Sequence, residues 1–212
     1  MQLLKNMTQS AIVLGLFAVI GTGLVADIFD QTKQRIADNE RASVLRNLHQ
    51  LIPPDRHDND LFNDTTTIYD ARLGTNQAIT VYRARIKAKP VAAIIGAIAP
   101  DGYSGAIKLL VAINYNGTLA GVRVVQHKET PGLGDRVDIE RSSWILGFNG
   151  KSLNNPTENK WRVKRDGGVF DQLTGATITP RAIVKAVRNS LIYFNQHRDR
   201  LFDTVDPKDK NE

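Results

Sequence analysis

The chain has 212 residues, of which 42% are hydrophobic, and a formal net charge of +6 at pH 7. This length is enough for one compact domain of ordinary size and an additional segment. Cysteine is absent, so the chain itself can supply no disulfide, thiol nucleophile, thiolate zinc site or cysteine-bound iron-sulfur cluster. Its basic residues are scattered among acidic ones, without a basic stripe or a groove-reading motif, which argues against a nucleic-acid partner.

An uncharged segment, MTQSAIVLGLFAVIGTGLVA, covers residues 7–26. Twenty helical residues at about 1.5 Å each span roughly 30 Å, the thickness of a bilayer's hydrocarbon core. Lys5 precedes the segment, whereas Asp27 and Asp30 follow it, so we expect a cytoplasmic N-terminus and an exported main domain. A cleaved signal peptide is the alternative, but Leu24 would then stand where a small residue is expected before the cut. The pattern favours an uncleaved anchor.

Charged and apolar residues alternate with a mainly helical spacing after the anchor, up to a Pro-Pro pair that follows Ile52. The next residues, 55–77, are polar, and we interpret them as a solvated linker. The sequence therefore predicts four parts, which are a membrane anchor (1–26), an amphipathic stalk helix with a linker (27–78), a main domain (79–200) and a polar tail (201–212).

The main domain contains four segments rich in Val, Ile or Tyr and separated by turn residues. Such closely spaced strands pair with their neighbours, so we expect a largely antiparallel sheet, with a hairpin turn at Asn116 and Gly117. Helices are predicted at about 138–146 and 180–195, which makes the fold class α+β. The predicted strands are Ile79 to Ile86, Val91 to Ala99, Ile107 to Asn114 and Thr118 to Gln126.

The stretch TGATITPRA directly precedes the second predicted helix. Pro180 suits the first helical position and Thr179 the N-cap, whose replacement by Ala would cost only about 1 kcal/mol. Thr177 then lies beside a helix N-terminus, where free backbone donors favour an anion, and Gly175 and Ala176 are too small to obstruct a phosphate. The simpler interpretation of these residues alone is an ordinary loop with a good cap.

A glycine-rich loop, HKETPGLGDRV, follows the last predicted strand. Pro131, Gly132 and Gly134 would let its backbone approach a flat ligand closely, and Glu129 and Thr130 offer polar contacts. This loop, the upstream stretch DGYSGAIKLLVAINYNGTLAGV and the downstream TGATITPRA together resemble the FMN-binding domain of the G subunit of the Rnf ion-translocating electron-transport complex. That domain is shared with the C subunit of the sodium-translocating NADH:quinone reductase. The resemblance covers nearly the whole chain.

The resemblance implies that FMN is attached covalently, through a phosphoester bond, to the last threonine of a Ser/Thr-Gly-Ala-Thr motif. That threonine is Thr177 here, and Thr174, Gly175 and Ala176 complete the motif. A dedicated flavin transferase would take the FMN from FAD. We expect Tyr103 either to stack on the flavin or to be a core or turn residue. The loop residues expected to line the cofactor are Glu129, Thr130, Gly132, Leu133 and Gly134.

The resemblance also implies an electron relay in the bacterial inner membrane, with a periplasmic main domain. Such a chain has no active site of its own and passes electrons between iron-sulfur, flavin or other membrane subunits of a complex that moves ions. The anchor would contact membrane lipid, and it carries no charge that could conduct an ion. The alternative is a membrane-anchored, exported module that binds an anionic ligand without redox function.

Overall fold

The computed structural model describes residues 2–203, and the chain divides into two compact units, Met1–Val44 and Leu45–Glu212. Helix α1 (Gln2–Leu51) makes up the first unit and reaches into the second. The second unit also contains strands β1 to β5 and helix α2 (Ile178–Leu201). Residues 204–212 of the predicted polar tail lie outside the described residues.

Helix α1 contains a 29-residue stretch, Lys5–Lys33, that is long and apolar enough to cross a membrane. Its large apolar side chains are exposed, as Leu14 at 69% and Phe17 at 70% illustrate. A helix satisfies its backbone hydrogen bonds internally, which a bilayer core requires. The predicted anchor and the predicted stalk helix are one uninterrupted helix.

The second unit is built on a five-stranded antiparallel sheet in the order β1-β2-β3-β4-β5. Each strand pairs with the next along the chain, so the sheet is a simple meander, and β4 and β5 are joined by the predicted turn at Gly117, whose φ is 85°. The predicted α+β class and the antiparallel sheet are confirmed. The strands are β1 (Thr65–Ile68), β2 (Ile79–Ile86), β3 (Lys89–Ala99), β4 (Ile107–Asn114) and β5 (Leu119–Gln126).

The interpretation of residues 55–77 as a solvated linker is wrong, because this segment supplies strand β1 and two short 3-10 turns. Asp64 anchors it, since its carboxylate accepts hydrogen bonds from Arg83 Nε at 2.6 Å and Arg85 Nε at 2.9 Å on β2. Polar residues that looked like linker composition therefore form ion pairs along a sheet edge.

The end of helix α2 is fixed to the same edge. Arg85 Nη2 donates to the carbonyl oxygen of Phe202 at 2.9 Å, and Arg83 Nη1 donates to that of Asp203 at 2.9 Å. Leu201 and Phe202, the first two residues of the predicted polar tail, are buried at 2% and 6% exposure. The packed part of the chain thus extends to the last described residues.

Helix α2 packs its apolar face against the sheet, as the 3.6-residue periodicity predicts. Ile183, Val187, Leu191 and Phe194 are each 0% exposed and belong to one continuous hydrophobic core. Burial of each such side chain is worth about 1.5–3 kcal/mol relative to exposure. This packing fixes the position of the α2 N-terminus.

The α-helix predicted at 138–146 is wrong, because this region forms 3-10 turns at Gly134–Val137 and Ser143–Phe148. Ser142 caps the second turn through a hydrogen bond from the Trp144 backbone N–H, and Trp144 Nε1 donates to the Asp171 carbonyl at 2.7 Å. Ile145 and Phe148, three residues apart, are both fully buried. Both side chains therefore lie on the face of the turn that packs into the hydrophobic core.

Candidate functional site: a cavity at the start of helix α2

A cavity of about 420 Å³ opens where helix α2 begins. Its volume falls in the range of roughly 300–1,000 Å³ that is usual for small-molecule sites. Three segments that are distant in the sequence form its wall: the loop before β4, the glycine loop after β5, and the turn that leads into α2. The lining residues are Tyr103, Glu129, Thr130, Leu133, Gly134, Gly175, Ala176, Thr177, Ile178 and Thr179.

Helix α2 starts two residues earlier than the sequence predicts, with Thr177 and not Thr179 as its N-cap. Pro180 consequently occupies the third helical position, which it tolerates because first-turn amides have no acceptor within the helix. The side chain of Thr177 makes no capping hydrogen bond. The residue before the helix is therefore a half-buried threonine whose hydroxyl lies at the edge of the cavity and does not cap the helix.

A tight turn leads into the helix. Ala176 N donates to the Leu173 carbonyl at 3.0 Å, and Gly175 between them has a φ of +82°. A Cβ atom at Gly175 would lie 2.7 Å from Leu133 Cδ2 in the glycine loop. The positive φ favours glycine at this position, and the absence of a side chain lets Leu133 lie directly beside it.

The glycine loop is organised around one carbonyl oxygen. The Thr130 carbonyl accepts from the backbone N–H groups of Leu133 at 3.2 Å, Gly134 at 3.2 Å and Asp135 at 3.4 Å. Gly132 takes a φ of +79° to complete the turn. This compact loop brings Leu133 over Gly175 and Gly134 against the first turn of α2.

Glu129 is a buried carboxylate, 5% exposed, that joins all three segments. Its Oε1 accepts from Ser104 N at 3.1 Å, and its Oε2 accepts from the fully buried Thr179 hydroxyl at 2.5 Å. Cap preferences alone assigned Thr179 the wrong role, because no local signal reveals a partner 50 residues away. Thr179 is therefore an internal link of the site.

Three partly exposed apolar side chains line the cavity. Tyr103, Leu133 and Ile178 are 68%, 42% and 46% exposed. Tyr103 is not a core residue, and it lies in a bend of the loop before β4, so stacking on the flavin stays a prediction beside the turn role. Ile178 was not among the predicted residues, although its place next to Thr177 in the sequence could have indicated it.

Most of the predicted site residues meet in this one cavity, and two do not line it. Thr174 is exposed in the turn before the helix, and Gly132 is exposed at the tip of the glycine loop. Both nevertheless adjoin lining residues in the sequence. The other seven predicted residues, which are Glu129, Thr130, Leu133, Gly134, Gly175, Ala176 and Thr177, line the cavity.

The basic residue of the first helical turn, Arg181, has a carboxylate partner outside the cavity. Its Nε and Nη2 atoms donate to Asp166 at 2.6 Å each, and these hydrogen bonds hold the pKa of Asp166 below its ordinary value. The donors that the cavity itself offers an anion are therefore the unpartnered first-turn amides, which carry the positive end of the helix dipole.

Sequence comparisons identify this arrangement. Residues 102–192, which contain the whole cavity, match the family described as FMN-binding domain, so the second unit is a flavin-nucleotide-binding domain. Residues 1–51 match the family described as RnfG N-terminal region.

Relatives are similar over nearly their full length. The chain is 48% identical to the G subunit of the ion-translocating oxidoreductase complex of Vibrio atlanticus, over 94% of this chain and 95% of that protein. It is 49% identical to the corresponding G subunits of Shewanella baltica (94% and 95%) and Pseudomonas aeruginosa (93% and 92%). The chain therefore belongs to the family of G subunits of ion-translocating oxidoreductase complexes, and the family predicted from the motifs is confirmed.

Proposed function

We propose that this chain is the single-pass flavoprotein subunit of an ion-translocating oxidoreductase complex, and that it relays electrons through FMN bound covalently to Thr177. Family membership supports the flavin and the complex. The covalent attachment and its position are supported by the geometry at the start of helix α2.

The uncapped N-cap threonine is the observation that carries the attachment site. A capping threonine usually has an extended backbone and accepts from the second or third helical residue, whereas Thr177 has αR dihedral angles (φ −89°, ψ −34°) and its side chain makes no capping bond. Its hydroxyl is thus available for an ester bond. A phosphate on that oxygen would lie next to the first-turn amides of Ile178 and Thr179, which favour an anion.

Attachment requires a flavin transferase and FAD, and it forms one phosphoester bond while it breaks one pyrophosphate bond. The Thr177 hydroxyl oxygen bonds to the phosphorus of the flavin half of FAD, the pyrophosphate bond breaks, and AMP leaves with the hydroxyl proton. The product is a phosphate diester with about one negative charge. Gly175 and Ala176 beside Thr177 leave the transferase room to approach.

The apolar wall fits an aromatic ring. Tyr103, Leu133 and Ile178 present exposed apolar surface that a bound isoalloxazine would cover, and Thr130 and Gly134 of the glycine loop line the same cavity. The flavin, when bound, supplies the electron chemistry, while the protein holds and tunes it. A ring held in this open cavity remains accessible to partner subunits that deliver and remove electrons.

The charge distribution around the anchor supports an orientation. Lys5 precedes the uncharged segment 7–26 and Asp27 follows it, so the N-terminus would be cytoplasmic and the second unit periplasmic in the bacterial inner membrane, with lipid around residues 7–26. A periplasmic reporter joined after Leu191 should be active, and a cytoplasmic reporter at that point should be inactive. The reverse pattern contradicts this orientation.

The attachment is tested by co-expressing the full chain with a flavin transferase. Thr177→Ala should give folded, colourless protein, whereas Thr177→Ser should keep part of the in-gel flavin fluorescence because the hydroxyl remains. Thr157→Ala, which removes an exposed threonine hydroxyl outside the cavity, is the matched control and should load fully.

Peptide mapping of the wild-type chain should place the adduct on Thr177. A flavin adduct in Thr177→Ala protein would contradict the assignment. Wild-type protein that is colourless after denaturation, although co-expressed with the transferase, would instead favour the exported module that binds an anion reversibly.

A further inference from the structure

We propose that Glu129 and Thr179 are a positioning pair, which orients Thr177 for flavin transfer and places a fixed negative charge in the wall of the flavin cavity. This inference rests on the proposed attachment of FMN to Thr177. It assigns the pair a role that neither residue's local sequence predicts.

The pair is buried and fully engaged. Glu129 is 5% exposed and Thr179 0%, and both carboxylate oxygens act as acceptors, one from Ser104 N at 3.1 Å and one from the Thr179 hydroxyl at 2.5 Å. Both carboxyl oxygens are thus occupied, so the side chain is held in one orientation.

The carboxylate has no basic partner. Within residues 2–203 none of the ion pairs involves Glu129. The hydrogen bonds from Ser104 and Thr179, together with the positive end of the α2 dipole, would offset the cost of burying a carboxylate here. A negative charge at this position would disfavour adding electrons to a flavin held in the same cavity.

The glycine loop closes over the pair. A Cβ atom on Gly134 would lie 2.6 Å from Glu129 Oε2 and 3.1 Å from Thr179 Oγ1, so the loop backbone contacts both side chains. The pair thereby connects the loop around Ser104, the glycine loop and the first turn of α2. These are the three segments that form the cavity wall.

Thr177 depends on this connection because it lacks the usual local one. Thr177 makes no capping hydrogen bond, and Thr179, two residues further on, holds the same first turn in place. Loss of the pair would let the turn fray and leave the Thr177 hydroxyl in many orientations. A poorly oriented hydroxyl reacts more slowly, because holding the reacting groups in the right geometry lowers the activation barrier.

The test compares three hydroxyl variants of the full chain in detergent, incubated with flavin transferase and FAD. Thr179→Val keeps the shape but removes the donor, Thr179→Ser keeps the donor, and Ser190→Ala is the matched control. Ser190 is also fully buried on α2, but its hydroxyl donates to the Ala186 carbonyl at 2.9 Å and does not line the cavity. Initial rates of flavin incorporation and melting temperatures are measured for each.

Thr179→Val should load about tenfold more slowly than the wild type, the effect of losing one charge-assisted hydrogen bond. Thr179→Ser should load at close to the wild-type rate, and Ser190→Ala should do so even if its melting temperature falls as much as that of Thr179→Val. Equal loading rates for Thr179→Val and Ser190→Ala would reduce the pair to a structural role and overturn the proposal.

The charge is tested separately, by redox titration of loaded Glu129→Gln protein. The amide keeps the size of the side chain but removes the charge, so the flavin midpoint potential should shift upwards, whereas loaded Thr179→Val should shift less. An unchanged potential in Glu129→Gln would overturn the electrostatic part. A wild-type chain without label on Thr177 would overturn the attachment itself and the pair's role with it, whereas normal wild-type labelling with unaffected variants overturns only the pair's role.

Discussion

The two long helices of this protein differ in whether their apolar side chains are exposed or buried. Helix α1 exposes them along the stretch Lys5–Lys33, whereas helix α2 buries them against the sheet. The difference follows from pattern and not from the content of apolar residues. An uninterrupted apolar run matches a uniformly apolar solvent, and a 3.6-residue periodicity matches a surface that is apolar on one side only.

Helix α1 itself changes character along its length. Its last turns belong to the second unit, where Leu48 and Leu51 are buried at 0% and 3% exposure. Gln50 in the same turn accepts a hydrogen bond from Arg123 Nε at 3.1 Å, and burial lowers the pKa of Arg123 below its ordinary value. A single helix can therefore combine an apolar span with a short segment of domain core.

The sharpest test of the contrast between the helices is the same substitution on both. Leu191→Ala should destabilise the second unit by about 2–5 kcal/mol, because it leaves a cavity in the core. Leu14→Ala, at 69% instead of 0% exposure, should leave the unfolding free energy within about 0.5 kcal/mol of wild type. Denaturant unfolding of the full chain in detergent measures both, and equal losses would contradict the contrast.

A charge in the apolar stretch should break the membrane anchor and leave the second unit intact. Leu14→Asp disfavours insertion by about 2.5–3.5 kcal/mol, the cost of an Asp at the centre of a spanning helix. Carbonate extraction should then release part of the chain from membranes. Leu146→Asp, 39% exposed in the second unit, is the control and should stay in the membrane fraction. Full retention of Leu14→Asp would argue against a spanning role.

Leu48 tests where helix α1 stops behaving as an anchor. Leu48→Ala should cost the second unit about 2–3 kcal/mol, near the lower end for a buried leucine, because a helix terminus can relax around the missing atoms. Leu24→Ala, on the same helix but 62% exposed, should cost almost nothing. Thermal unfolding of the two variants in detergent distinguishes them, and matching melting temperatures would mean that the end of α1 is not part of the core.

The smallest effect concerns a polar contact of helix α2 and depends on pH. Asp70 accepts hydrogen bonds from Arg72, which in turn donates to Gln196 on α2, and the Arg72 side chain holds the pKa of Asp70 below its ordinary value of 3.8. A carboxyl with a lowered folded pKa contributes stability above its unfolded value and loses it as the pH falls through the folded value.

Asp70→Asn should therefore melt slightly below wild type at neutral pH, and the gap should close in acid, below about pH 4. Melting curves recorded between neutral pH and acid measure the gap. Asp101→Asn breaks the exposed pair with Lys185 on α2 and should change the melting temperature little at any pH. A gap that persists unchanged in acid would show that the Asp70 charge contributes nothing.

Local patterns predicted the elements whose partners lie nearby in the sequence. Strands β2 to β5 follow from the alternation of apolar residues, and the turn at Gly117 follows from its turn residues. The buried face of Ile183 and Leu191 follows from helical periodicity. The wrong secondary-structure predictions concern segments whose packing partners are distant in the sequence. Residues 55–77 looked like a linker because Asp64 has its arginine partners on β2, and the 138–146 segment looked helical because the packing of Phe148 is not visible locally.

The sequence by itself determined the apolar stretch, four strands of the meander and the motif that indicates FMN, since each is defined by residues close together in the chain. Only the tertiary structure decided that Thr177 is the uncapped start of helix α2 and that Thr179 faces Glu129. The physical reason is that an N-cap preference is worth about 1 kcal/mol, whereas leaving a buried carboxylate without a donor costs more. A contact over 50 residues therefore overrides the local preference at the place where the cofactor would be attached.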